Sequence, residues 1–290
     1  MPICPPLQGP SRDPLRDWFP TAKIHEGRWS LLLRVRPASS PRGEESEFVL
    51  RMLRAPARPG SFAHRRLAQE VAVTHALRHP ALPPVVDFEL HAAHAFTVVP
   101  WLSGYPVAAW RNAPHRAPLG LACWIIRQAA QAAATMHATG LRHGQIEPHH
   151  LLLHGDGRVA LLGLGAAATI GSQIPGAELG ISPAYAAPEQ FSPAPAQAAS
   201  DVYALGAVLY ELLTQRRPFQ PQREEEWEAM HRLAPIPDLR AWAPDAPHSL
   251  GSLVRRMLAK EPLRRPDLAE VIEQLCDFEI ASFQDWAAVA

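Results

Sequence analysis

The chain has 290 residues, 47% of them hydrophobic and 19% charged, a balance that supports a packed core and excludes a disordered polymer. Its 28 basic and 28 acidic side chains cancel, so it presents no net basic field of the kind that nucleic acid or an anionic membrane selects. Cys4, Cys123 and Cys276 lie far apart and form neither a metal spacing nor a disulfide framework, which points to a reducing, cytoplasmic setting.

In chain order, residues 1–20 read as an extended tail carrying six prolines, without the basic region and apolar run of a signal peptide. Strand patterns follow over 29–35, 48–53, 85–90 and 95–99. A solvated Pro/Ser/Glu-rich loop at 37–47 separates the first two. A helix is predicted over 62–77, with Leu67, Val71, Thr74 and Leu77 on one stripe, stopping at His79-Pro80. Beyond Trp101 the period turns helical. Residues 119–139 are apolar all round, as in a buried helix; their most apolar part, 119–134, is interrupted by Arg127 and Gln128 and too short to span a bilayer. Runs at 151–153 and 159–162, joined by His154-Gly155-Asp156-Gly157, predict a hairpin. Ser200-Asp201 is placed to cap a strong helix that breaks before Pro218, and further helices fit 250–259 and 267–276. A β-rich part followed by a larger helical part is an α+β architecture.

Three motifs then narrow the reading. They are Pro183-Ala184-Tyr185-Ala186-Ala187-Pro188-Glu189-Gln190, the helix opening Ser200-Asp201-Val202-Tyr203-Ala204-Leu205-Gly206, and Lys260-Glu261-Pro262-Leu263-Arg264-Arg265-Pro266. In that order and spacing, residues 23–276 resemble the bacterial-type Ser/Thr protein kinase domain. The resemblance implies a bilobal fold with a small β-rich N-lobe over 21–101 and a helical C-lobe over 102–276, the last residues, 277–290, forming an extension. It also implies structural roles: Glu189 pairing with Arg265, Asp201 accepting backbone N–H bonds from the catalytic loop, and His143 as that loop's framework histidine.

The same resemblance implies where chemistry should sit, and this chain departs from the family there. Arg51 stands for the strand Lys that holds phosphates, with Glu70 as its helix partner; a guanidinium can keep such a pair bidentately. Gln145 stands for the catalytic Asp and cannot take a proton. Glu147 stands for the loop Lys, reversing its charge. His150 and Gly163 stand for the metal-binding Asn and Asp, and magnesium prefers oxygen ligands that neither supplies. Of the Gly-rich loop only Gly27 remains, with His25 and Ser30 at the other two places. A vestigial nucleotide pocket would comprise Ile24, Gly27, Leu32, Val49, Arg51, Val99 and Leu152, Val49 adding bulk over the adenine.

These departures lead to the expectation of a pseudokinase, not an enzyme, with no cofactor, no magnesium and no metal site, ATP being left open. It would act as a scaffold or allosteric regulator of a protein partner: a kinase, a phosphatase or a complex component. Nucleic-acid binding and membrane insertion are not expected. Two alternatives stay open: an atypical kinase using displaced residues, with Glu147 as a relocated base, and a nucleotide sensor without turnover. Thr169, Ser172 and Ser182 are candidate acceptors for another kinase's phosphate.

Overall fold

The structure, a computed structural model, describes residues 14–41, 47–54, 60–91, 94–173 and 182–289. The chain divides into two compact units, Met1–Ser103 and Gly104–Ala290. The expected α+β plan therefore holds, with a sheet-rich unit preceding a helical one.

The first unit begins with a single helical turn, α1 (Pro14–Asp17), running into β1 (Trp18–Glu26). α1 lies wholly and β1 partly inside the stretch expected to be a tail; residues 1–13, Cys4 among them, fall outside the described residues. β2 (Ser30–Pro37) and β3 (Phe48–Leu53) follow, then helix α2 (Phe62–Ala76), β4 (Asp87–Glu89) and β5 (Phe96–Pro100). The strands form one antiparallel sheet in the order β1-β2-β3-β5-β4. Period-two alternation sorts its side chains. Leu33, Val35, Phe48, Leu50, Phe96 and Val98 share one face and gather round Trp18, whose indole donates to Asp87 Oδ2 at 2.7 Å. On the other side Leu53 packs with Leu67 and Val71 of α2. Ser61 caps α2 by accepting from the His64 N–H.

The second unit holds β6 (Tyr105–Pro106), α3 (Leu119–Ala138), β7 (Leu141–Arg142), the hairpin β8 (Leu151–Leu153) and β9 (Val159–Leu161), and β10 (Ala168–Thr169). Helices α4 (Ala199–Thr214), α5 (Trp227–Leu233), α6 (His248–Met257) and α7 (Leu268–Val289) complete it. Every residue of α4 from Ser200 onward is buried, as an all-round apolar helix demands. α3 uses alanines at 122, 129, 130, 132 and 133 to approach its neighbours closely, with Ile125, Ile126 and Met136 filling the remaining volume. β7 pairs with β10, and β8 joins β6 to β9, which fixes the loop between β7 and β8 at both ends. Among the described residues no helix is long and apolar enough to cross a membrane.

Candidate active site

In the first unit, β3 carries Arg51 between Leu32 of β2 and Thr97 of β5. Its Nη1 donates to Glu70 Oε2 at 2.7 Å, and Glu70, on α2, is only 8% exposed. A carboxylate removed from water to that degree requires a cation, and the charge-assisted bond ties α2 to the sheet. Val49 pairs with Val99 and Arg34, so Leu32, Val49, Arg51 and Val99 all point from one sheet face. Gly27 turns β1 into β2, its N–H donating to the Ser30 carbonyl. Ile24, on β1, is 41% exposed. Leu152 belongs to the second unit, on β8.

The second unit builds the loop 143–150 around Asp201. This carboxylate, 1% exposed, accepts the His143 N–H at 2.8 Å, the Gly144 N–H at 2.7 Å and a bond from His137 Nε2 at 2.8 Å. Burial pushes its pKa up, but the bond from His137 and the other donors and charges around it outweigh that and hold it below the usual carboxylate range. His143 is fully buried. Its Nδ1 accepts the Gln145 N–H, so its proton resides on Nε2, which donates to the Leu162 carbonyl at 2.9 Å. Burial, opposed by the charge of Asp201, takes its pKa down to about 4, so it is a neutral strut. Glu189 binds Arg265 bidentately at 2.6 and 2.8 Å and also accepts from Ser200. Glu189 is thus in contact with Arg265, and Asp201 with the backbone of His143 and Gly144. Asp201 does not cap α4, however: its oxygens are spent on the loop, and Ser200 is spent on Glu189.

The departures from the family form a second local arrangement. Gly163 has φ +87°, and a Cβ there would lie 2.7 Å from His150 Nδ1. The imidazole occupies the place that a side chain at 163 would need. His150 Nδ1 donates to the Gln145 carbonyl at 2.8 Å and lies 3.5 Å from Glu147 Oε1. Glu147 is 9% exposed and borders, together with Gln145, Ser182, Tyr185 and Gln190, a cavity of about 10 Å³, room for one water. Among the described residues no three His, Cys, Asp or Glu side chains converge as ligands. Gly163 brings no side chain and His150 no oxygen, so these two positions do not fit a resident magnesium ion.

Sequence reasoning missed Arg142. Its side chain is buried beneath the loop and fills the volume beside Gly144, where a Cβ would fall 2.5 Å from Nη1. The available signal was an arginine in a stretch patterned as buried, followed two residues later by a glycine.

The family described as protein kinase domain matches residues 42–276. Among similar proteins, the serine/threonine-protein kinase PrkC of Bacillus subtilis is 29% identical over 72% of this chain and 33% of its own length. The DNA damage-responsive serine/threonine-protein kinase RqkA of Deinococcus radiodurans is 32% identical over 72% of this chain and 32% of its own. The serine/threonine-protein kinase pkn2 of Myxococcus xanthus is 32% identical over 70% and 26%. The chain thus spans about a third or less of the length of these relatives. Their names correct the expectation that this chain is not an enzyme: its similarity runs to kinases over most of its length. The expectation took inactivity from the residue types at the base, Lys and metal positions, and these do not fix how much transfer remains. Residues acting as a unit lose function non-additively, and positioning alone leaves residual catalysis.

Proposed function

The chain belongs to the protein kinase domain family, and from that premise we propose that it is an atypical, slow Ser/Thr protein kinase whose proton acceptor is Glu147. The observation that carries the reading is that Glu147 and Gln145 border the same cavity, so a carboxylate lies beside the place the family gives to its Asp. In the proposed step the hydroxyl oxygen of an acceptor Ser or Thr attacks the terminal phosphorus of a nucleoside triphosphate. An O–P bond forms, the bond to the bridging oxygen breaks, the diphosphate leaves, and the hydroxyl proton passes to Glu147. Such a transfer needs little covalent chemistry and mostly positioned charge. The Asp201–His143 frame holds the loop that carries Glu147. The relatives' names and the surviving Arg51–Glu70 pair support the reading.

The test is transfer from radiolabelled ATP to the chain itself and to a generic Ser/Thr substrate, with magnesium or manganese, in single-turnover format. Glu147→Gln is expected to lower the rate by ~10²-fold or more. Transfer indistinguishable from the Glu147→Gln background overturns the proposal.

A further inference from the structure

Arg142 ends β7 with a side chain that is 2% exposed, and neither its Nε nor its Nη1 has a hydrogen-bond partner. Burial lowers its pKa, against the charges of Asp201 and Glu189, yet a guanidinium remains protonated at neutral pH. Three buried N–H bonds without acceptors are an uncompensated cost unless something docks against them. The two nearby carboxylates do not serve: Asp201 is committed to His137, His143 and Gly144, and Glu189 to Arg265 and Ser200. The space is also specific to this sequence, because any side chain at 144 would displace the guanidinium.

Arg142 borders a pocket shared with Glu189, whose carboxylate is held by Arg265, and with Gln190, Ser192, Gln197 and Ser200. Its inner room is about 10 Å³, enough for one oxygen-sized group. At the rim, Ser192 Oγ already accepts from Arg232 Nη2 at 2.7 Å. Arg142 therefore lines the pocket, and Arg232, which also pairs with Glu228 Oε1 at 3.1 Å, reaches the lining residue Ser192. A group that puts one oxygen inward and others outward, with enough charge to offset the neighbouring carboxylates, matches that pair better than a neutral acceptor.

We propose that Arg142 and Arg232 form a site for a phosphoryl oxyanion, either free phosphate or a phosphate ester on Ser192. The ester would arise when a protein kinase directs Ser192 Oγ onto the terminal phosphorus of ATP. The O–P bond forms, ADP leaves, and the hydroxyl proton goes to that enzyme's base. The site stands whether or not the chain has transfer activity of its own.

The experiment measures thermal unfolding of the intact chain in phosphate-free buffer. Inorganic phosphate is added against sodium chloride of equal ionic strength. The unfolding temperature is expected to rise with phosphate and not with chloride, and Arg142→Met to weaken the apparent affinity about tenfold or more. Methionine removes the unpaired donors and keeps the volume, so this variant is expected to fold and to be at least as stable without phosphate. In the second arm, phosphoserine installed at 192 is expected to raise the unfolding temperature in the Arg142 background and not in Arg142→Met. A response to free phosphate alone assigns the free ion as the ligand; a response to phosphoserine alone assigns the ester. No response in either arm overturns the site, as does an equal response in Arg142→Met. It is equally overturned if Arg142→Met is strongly destabilised in phosphate-free buffer while the unsubstituted chain ignores phosphate, since Arg142 is then structural only.

Discussion

Gly163 and His150 are coupled by volume. The ring of one stands where the Cβ of the other would go, and the backbone at 163 is in the left-handed region that favours glycine. Gly163→Asp alone should therefore lose stability, by about 1–3 kcal/mol, because the imidazole must leave and an L side chain must adopt that backbone. Gly163→Asp with His150→Asn restores space and supplies two oxygen ligands. We expect the double variant to recover most of that loss and to gain a magnesium-dependent rise in unfolding temperature that neither single variant shows. Strict additivity of the two changes in urea titrations, with no response to magnesium, would refute the coupling. A second residue-scale prediction concerns pH. His231 is fully buried among Phe191, Tyr203, Phe219 and Trp227, its Nδ1 is 2.7 Å from the Tyr203 hydroxyl, and Lys260 donates to its carbonyl. Burial first, then the charge of Lys260, takes its pKa down to about 4, as burial does for His143. In the unfolded chain each histidine takes up a proton near pH ~6.5. The stability these groups confer is thus complete above that pH and is lost as pH falls from there toward 4. Each should contribute a loss of about 1 kcal/mol between pH 7.5 and 5.5. Asp201 and Glu189, both held below their usual range, add their loss only at more acidic pH. His231→Phe should flatten the upper part of the curve; urea midpoints at pH 7.5, 6.5 and 5.5 that keep the original slope would exclude it as a source.

At the scale of elements, the sequence was readable wherever burial imposes a period. β3, α2, α3 and the β8–β9 hairpin lie where alternation or a 3.6-residue stripe placed them, within about two residues at each end. β1 was not readable. It is mostly exposed, contains Pro20, and slips register between Pro20 and Ala22 and again between Lys23 and His25, so no alternation survives in its letters. The start of α4 misled for a different reason: a Ser-Asp pair looks the same whether it caps its own helix or holds a distant loop, and only tertiary structure decides. α7 continues to Val289, well past the expected end at 276, and what extends it is a long-range bond. Glu279 Oε1 accepts from Arg127 Nε of α3 at 2.7 Å, with side chains 5% and 15% exposed, and Arg127 lies over the ring of Trp124 at 5.0 Å. An ion pair this buried is costly to break from one side. Glu279→Gln should destabilise the chain by about 2–4 kcal/mol, and removing residues 277–290 should cost at least as much. Unchanged urea midpoints for both would show that α7 beyond Cys276 is an appendage rather than part of the helical unit.

For the molecule as a whole, the frame was legible because its motifs are chemically exclusive: few sequences place Glu189, Asp201 and Arg265 so that two carboxylates each find a full set of donors. Activity was not legible, because it depends on whether a carboxylate displaced along the loop can do the work of the one that is missing. Letters at 145 and 147 give identities, while the shared cavity gives proximity. That difference sets a double-substitution cycle. If Glu147 is the proton acceptor, Glu147→Gln removes most transfer and Gln145→Asp in that background returns ~10²–10⁴-fold. With Glu147 in place, Gln145→Asp should yield a much smaller gain. A second carboxylate in so small a cavity adds little to a task already performed. Single-turnover rates for the four combinations decide it. Gains from Gln145→Asp that are equal in both backgrounds mean that residue 147 takes no proton, and a cycle flat at the limit of detection means that the loop, however well held by Asp201, transfers nothing.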